Sequence, residues 1–156
     1  MSKPQLNPHA GRLRGRPVNV VDGARTPFLK ARGKPGPFHA ADLALASSRA
    51  LLARQALDAG VIDQVVLGCV SSGPDEANIA RVVSLRLGCG ERVPAWTVQR
   101  NSASGMQAVE SAALEIASGR SDVVLAGGVE AMSHHPVLFN ELMVAWLGAW
   151  NQARTL

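Results

Sequence analysis

The chain has 156 residues, of which 47% are hydrophobic and 18% are charged, a composition typical of a globular domain and not of a disordered chain. It contains three Trp, three Phe and no Tyr, so we expect a core of small aliphatic side chains and no base-stacking surface for nucleic acid. The formal net charge is +4. The sequence lacks the run of about 18 apolar residues that spans a membrane. We therefore expect neither a nucleic-acid nor a membrane partner.

The N-terminal segment is basic, and four cations precede the first acidic residue: Lys3, Arg12, Arg14 and Arg16. We interpret residues 1–16 as a flexible basic leader, because a transit signal or a nucleic-acid arm would need a longer amphipathic pattern. Cys69 and Cys89 do not have the spacing of a metal site. We expect two buried thiols in a reducing compartment, the cytoplasm.

Short apolar segments alternate with helical ones along the rest of the chain. Continuous apolar runs, typical of strands covered on both faces, occupy residues 17–23, 64–70, 94–99 and 122–128. Helical periodicity occupies residues 40–57, 79–88, 102–118 and an apolar tail at 138–156. This alternation predicts a layered α/β fold with a mostly parallel sheet.

The helix predicted at residues 102–118 is expected to be among the most buried elements. Its apolar residues recur at spacings of three and four, which predicts the core-facing set Met106, Val109, Ala113 and Ile116.

Ser102 stands where the predicted strand at residues 94–99 turns into this helix. In α/β sheets, chemistry takes place beyond the carboxyl ends of the strands. A serine there is either a nucleophile, assisted by the helix dipole, or an ordinary N-cap. The GxSxG pattern of hydrolases is missing around it, and the residues alone leave both alternatives open.

Gly127 and Gly128 end the last predicted strand, either to let another backbone approach or as an ordinary strand end. Glu130 then either orients a neighbouring loop or is a solvated charge. His134 and His135 are adjacent and point in different directions, so they make a poor metal pair and no metal site is expected.

Six segments resemble the thiolase family in order and spacing: ARTPF, ADLA, VVLGCV, NIAR, VPAWTVQRNSASGMQAV and VVLAGGVEAMSHHP. The resemblance runs from about Val18 to the last residue and is greatest to acetyl-CoA acetyltransferases and 3-ketoacyl-CoA thiolases. It implies a Claisen condensation of acyl-CoA with acetyl-CoA, or thiolysis of 3-ketoacyl-CoA, through an acyl-enzyme. Coenzyme A thioesters would be the substrates, and no cofactor would be required.

The resemblance places Ser102 at the position of the family's nucleophilic cysteine, where its backbone N–H would form half of an oxyanion hole. It implies a substrate pocket shaped by Asn101, Ala103, Ser104, Gly105 and Met132. A structural turn beside that pocket would consist of Gly127, Gly128 and Glu130. Arg25 and Thr26 match a first loop and are interpreted as structural.

The sequence departs from the family in two ways. A serine hydroxyl holds its proton far more tightly than a thiol, so Ser102 would need a strong local base. Family members also continue through a loop domain and a second half, which supplies the activating histidine and a second cysteine. The implied division is a leader at 1–16, a partial N-terminal α/β domain at 17–131 and the start of the loop domain at 132–156.

Three functions remain open on this evidence. The first is a thiolase-type acyltransferase represented by its N-terminal half, inactive alone and partnered by a homo-oligomer or a complementing C-terminal half. The second is a non-catalytic, truncated paralogue that acts as a binding or assembly module. The third is a small α/β ligand-binding domain with Ser102 as a plain cap. Half of a two-part fold leaves apolar area uncovered, so we expect self-association or marginal stability, with Trp146 and Trp150 near that surface.

Overall fold

The computed structural model describes residues 15–31 and 33–153. In this part of the chain the helices are α1 (Ala40–Arg54), α2 (Ile79–Leu87), α3 (Ser104–Ala117) and α4 (Glu141–Gln152). The strands are β1 (Gln64–Gly68), β2 (Ala95–Val98) and β3 (Val124–Gly128). The predicted α/β class is confirmed, and these elements lie within the predicted segments with slightly shorter bounds. None of the helices in the described ranges has the length and apolar character needed to cross a membrane.

The sheet has the strand order β2-β1-β3, and both pairings are parallel. Val65 of β1 lies opposite Ala95 of β2 and Leu125 of β3. Because β1 is central, all of its residues are buried, as its continuous apolar run predicts. The sheet therefore places β1 at the middle of the molecule, with its carboxyl end between those of its neighbours.

Helices cover both faces of the sheet. On one face, α1 and α2 pack on alternate residues of β1 and its extension, Val65, Leu67 and Cys69. On the other face, α3 packs across β1 and β3 and buries Ala108 and Ala112. The result is a three-layer arrangement, the expected way for a parallel sheet to remove both faces from water.

The ends of α2 follow from its flanking residues. The side chain of Asn78 accepts a hydrogen bond from the Arg81 N–H at 3.2 Å and caps the first turn. Gly88 ends the helix in the left-handed region with φ +91°, a conformation that glycine adopts without steric cost. The predicted end of this helix is thus confirmed.

The N-terminus of α3 lies directly against the carboxyl ends of β1 and β3. A Cβ atom on Gly68 would lie 2.3 Å from the carbonyl carbon of Ser104, and one on Gly128 would lie 2.8 Å from the Cα of Gly105. At contacts this short, a side chain at either strand position would force the backbone of α3 away from the sheet. Glycine at the strand ends is therefore what permits the helix to approach the sheet backbone.

The expectation that Met106 and Val109 face the core is wrong. Met106 is 74% exposed and Val109 is 46% exposed, while Ala113 and Ile116 are partly buried. The buried residues of α3 are instead Ser104, Ala108, Ala112 and Ala117. Close approach to the sheet leaves room only for small residues on the inner side, so the larger side chains lie on the outer side. Among the residues that the structure describes, none covers that outer side fully.

The strand predicted at residues 17–23 is also absent from the sheet. This segment has no strand conformation, and Val20 and Val21 are 87% and 78% exposed. A strand needs a neighbour for its N–H and C=O groups, and an apolar run does not by itself supply one. The contacts of this segment are instead polar, since the Asp22 carboxylate accepts from Arg54 at 2.8 Å and from Gln55 at 2.6 Å.

The predicted leader lies almost wholly outside the described residues. Arg16, near its end, forms an ion pair with Asp122. The domain division at residue 131 stays a prediction. Residues of α4 are not buried, and Trp146 and Trp150 stack on each other with ring centroids 5.7 Å apart.

We expect the isolated chain to self-associate, because the outer side of α3 and the apolar residues of α4 face solvent. Sedimentation velocity across a concentration series should show species larger than the monomer. Replacing both Met106 and Val109 by Gln should shift the distribution towards monomer. The matched control replaces Ala46 and Ala50, on the exposed side of α1, by Gln and should not. A wild-type chain that stays monomeric at every concentration contradicts this expectation.

Gly68→Ala should destabilise the fold by about 1–3 kcal/mol, because the added methyl group meets the α3 backbone. Gly73→Ala is the matched control: Gly73 also has an extended backbone, and a Cβ there has no neighbour within 4 Å. Its effect should stay within about 0.5 kcal/mol. Urea denaturation followed by circular dichroism measures both. Equal effects of the two substitutions would contradict the close approach of α3.

Candidate active site

The turn between β2 and α3 is held by Ser104. Its hydroxyl accepts a hydrogen bond from the Arg100 N–H at 2.8 Å and donates one to the Asn101 carbonyl at 2.6 Å. Asn101 lies in the left-handed region with φ +47°, which asparagine tolerates better than most residues. Buried Ser104 thus closes a tight turn whose outermost residues are Asn101, Ser102 and Ala103.

Ser102 is exposed on this turn and does not cap α3. The N-cap position belongs to Ala103, and the helix lacks a side-chain cap. The Ser104 N–H, at the first position of α3, donates to the Asn101 carbonyl at 3.1 Å. The N-terminal end of the α3 dipole lies beside Ser102, so a negative charge that develops there would be stabilised.

A cleft of about 640 Å³ opens where this turn meets the carboxyl ends of β1 and β3. Of the residues that the resemblance singles out, seven line it: Asn101, Ser102, Ser104, Gly105, Gly128, Glu130 and Met132. Ala103 and Gly127 lie outside the cleft lining. A Cβ on Gly127 would lie 3.7 Å from the Leu67 side chain of the neighbouring strand. The structure thus brings together two segments that are about 25 residues apart in the sequence.

Further lining residues were not named as site residues: Gly68, Cys69, Val70, Ser71, Val129 and His135. Four of them follow or end β1, and the carboxyl ends of parallel strands meet at one edge of a sheet. That rule places the loop after the strand VVLG at this edge. A second cleft of about 670 Å³ is lined mainly by residues 24–31 and 34–38, including Arg25 and Thr26. It shares Gly128, Val129, Glu130 and Met132 with the first.

Glu130 bridges β3 to the loop after β1. Its carboxylate accepts hydrogen bonds from the Val70 N–H at 2.9 Å and the Ser71 N–H at 3.1 Å. The Cys69 thiol lies 3.7 Å from the same carboxylate. Glu130 therefore orients a neighbouring loop, the first of the two alternatives that its sequence position leaves open.

Cys69 lines the cleft but is not poised to ionise. Burial, together with the negative charge of Glu130, raises the pKa of the Cys69 thiol to about 11. A thiol with that pKa is protonated near neutral pH, and the thiolate is the nucleophilic form. Cys69 is therefore not in its nucleophilic form near neutral pH.

The two adjacent histidines have different surroundings. The His134 ring stacks on His39 with centroids 4.1 Å apart, and its Nε2 lies 2.8 Å from the Gly36 carbonyl oxygen. His135 is exposed at the cleft. His134 thus joins the loop before α1 to the segment after β3, and only its neighbour reaches the site.

The fold is that of the N-terminal part of a thiolase. The family description "Thiolase, N-terminal domain" matches residues 18–151, and the chain belongs to this family. It is 38% identical over 141 residues to the mitochondrial trifunctional enzyme subunit beta of Bos taurus. It is 40% identical over 128 residues to the beta-ketoadipyl-CoA thiolase of Pseudomonas knackmussii.

Solved structures agree with this assignment. The acetyl-CoA acetyltransferase of Bacillus anthracis is similar with a TM-score of 0.64 and 39% identity, over 68% of this chain and 27% of that one. Human mitochondrial 3-ketoacyl-CoA thiolase in complex with CoA is similar with a TM-score of 0.63 and 35% identity, over 65% of this chain and 26% of that one. The matches to the bovine and Pseudomonas proteins cover 90% and 81% of this chain but 30% and 32% of those proteins. The chain therefore spans about a third of the length of these relatives.

The raised pKa of Cys69 predicts a pH-dependent stability. The folded state binds the thiol proton more tightly than the unfolded state, whose thiol has the ordinary value of 9.0. The stabilisation is therefore complete below pH 9 and is lost as the pH rises through about 11. Relative to Cys69→Ser, the wild-type free energy of unfolding should fall by about 2 kcal/mol over this range. If the free energies of unfolding of the two proteins changed in parallel with pH, folding would not raise the pKa of Cys69.

Proposed function

We propose that this chain is the N-terminal part of a thiolase-type acyltransferase in which Ser102 occupies the nucleophile position. The substrates would be acyl-CoA and acetyl-CoA for condensation, or 3-ketoacyl-CoA and CoA for thiolysis, without a cofactor. One observation carries this proposal: Ser102 is exposed at the N-terminus of α3 and lines the cleft. The relatives named as thiolases of CoA esters support the substrate class.

The chemistry of acyl transfer explains what the turn would do. A nucleophile at position 102 would attack the thioester carbonyl, and coenzyme A would leave as the thiol. The Ser102 backbone N–H and the dipole of α3 would stabilise the oxyanion that forms in between. A serine must lose its proton to a base during this attack, whereas a thiol at a helix N-terminus is already partly ionised near neutral pH. An acyl-serine is also an ester, which is a poorer acyl donor than a thioester.

The cleft residues of this chain do not supply an evident base. The Glu130 carboxylate is occupied by the Val70 and Ser71 N–H groups. His135 lies at the cleft, and in the described residues it is not hydrogen-bonded to Ser102. We therefore propose that the chain is inactive alone, and that activity requires both a thiol at position 102 and the groups of a complementing C-terminal half.

A second candidate is a non-catalytic assembly module. The exposed residues Met106, Val109 and Leu114 on α3 favour it, because a partner would remove them from water. The partner would be a second copy of this chain or a C-terminal thiolase half. For either candidate we propose a cytoplasmic location, where buried free thiols such as Cys69 and Cys89 stay reduced.

Ser102→Cys should create a reactive thiol. The dipole of α3 should lower its pKa, and the rate of its alkylation by iodoacetamide at pH 7 should exceed that of Ala46→Cys by about two- to tenfold. Ala46 is the matched control, because it is exposed in the middle of α1, away from either helix end. Peptide mass spectrometry separates these sites from the buried Cys69 and Cys89. Equal alkylation rates at Ser102→Cys and Ala46→Cys would show that the N-terminus of α3 does not activate a thiol at position 102.

Complementation distinguishes the two candidates. With a C-terminal thiolase half co-expressed, Ser102→Cys should convert acetoacetyl-CoA and free CoA into two acetyl-CoA, and the Ser form should be slower by orders of magnitude. Without the C-terminal half, neither the Ser form nor the Cys form should convert acetoacetyl-CoA. Turnover by the unmodified isolated chain would contradict inactivity and make Ser102 a true nucleophile. A stable complex with no activity from Ser102→Cys would favour the assembly module.

A further inference from the structure

The loop after β1 depends on an acceptor from another segment. The ladder of β1 ends with the Cys69 N–H, which donates to the Val98 carbonyl at 3.2 Å. The next two N–H groups, of Val70 and Ser71, are beyond the sheet, and both donate to the Glu130 carboxylate. Successive N–H groups that converge on one point form a concave site for an anion. In this chain that anion is its own side chain, contributed from 60 residues further along.

The same loop forms one side of the Ser102 cleft. Gly68, Cys69, Val70 and Ser71 line the cleft together with Asn101 and Ser102. The Ser102 side is fixed internally by Ser104. The opposite side is fixed by Glu130, because hydrogen bonds to an ionised acceptor are stronger than neutral ones.

We propose that Glu130 is a positioning residue that holds the loop Cys69–Ser71 as one wall of the Ser102 cleft and keeps the Cys69 thiol inside it. Without this carboxylate two backbone N–H groups lose their acceptor, and the loop moves away from β3. The cleft then widens, and reagents reach Cys69, which is 3% exposed in the closed arrangement. This proposal goes beyond acyl transfer, because it holds whether or not the chain catalyses a reaction.

Cys89 provides an internal control for this effect. It is 5% exposed, so it is buried to nearly the same degree as Cys69. It directly follows Gly88 at the end of α2 and is absent from the cleft lining. Global unfolding would expose both thiols together, whereas movement of the loop would expose Cys69 alone.

The test measures labelling of the two cysteines by iodoacetamide at pH 8, resolved by peptide mass spectrometry. Each labelling rate is divided by the thiolate fraction, which the pH dependence of labelling gives, because removing Glu130 also removes a charge beside the Cys69 thiol. After this division, Cys69 in Glu130→Ala should be labelled at least about tenfold faster than in the wild type, because two charge-assisted hydrogen bonds are lost. The rate at Cys89 should stay within about twofold. Glu130→Gln keeps one amide oxygen as an acceptor and should be intermediate. Glu110→Ala, which removes an exposed carboxylate from α3, should behave as the wild type.

Rescue by added formate distinguishes loss of the carboxylate from a general loss of structure. Formate fits the space left by Glu130→Ala and can accept from both N–H groups, so it should slow the labelling of Cys69. Chloride at equal ionic strength should not. Continued protection of Cys69 in Glu130→Ala, parallel labelling of both cysteines, or the absence of a formate effect would each overturn the proposal. If Glu130→Ala does not fold, the same test uses Glu130→Gln, in which Cys69 should be labelled faster than in the wild type while the rate at Cys89 stays unchanged.

Discussion

The direct contact between the backbone of α3 and the ends of β1 and β3 is the constraint on which the rest of the structure depends. Gly68 and Gly128 have no side chains, and this lets Ser104 and Gly105 lie against the strands. The approach brings the positive end of the helix to the carboxyl edge of the sheet, where the cleft opens. It also requires small residues on the inner side of α3, and therefore leaves its larger apolar side chains outside.

The two sides of the cleft are held by different polar interactions. A neutral serine, Ser104, closes the turn that carries Ser102, and a carboxylate, Glu130, holds the loop that carries Cys69. The side chain at position 102 is a hydroxyl, and the nearby thiol of Cys69 is kept protonated near neutral pH. The cleft therefore holds a hydroxyl and a protonated thiol.

The sequence predicted the elements better than their contacts. The central strand β1 could be predicted because burial on both faces requires a continuous apolar run. The inner side of α3 could not, because Ala108 and Ala112 have the same spacing as larger apolar residues on the other side. The apolar run at residues 17–23 resembles a strand, yet the described sheet offers it no pairing. In the site, the family resemblance drew attention to the turn at Ser102, which lines the cleft, and its role stays a prediction. The contact of Glu130 with Val70 and Ser71 joins segments distant in sequence, and local patterns do not contain that information.

The central claim is that the α3 backbone touches the strand ends, and proton–proton contacts in solution measure this directly. A three-dimensional nuclear Overhauser experiment on isotope-labelled protein can be read at the Hα protons of Gly105 and Gly128. The account predicts a strong Hα–Hα cross-peak between them, since a Cβ on Gly105 would lie only 3.4 Å from the Gly128 Cα. Cross-peaks across the β1–β3 ladder provide the internal reference. Intact ladder cross-peaks without the Gly105–Gly128 cross-peak would contradict the account.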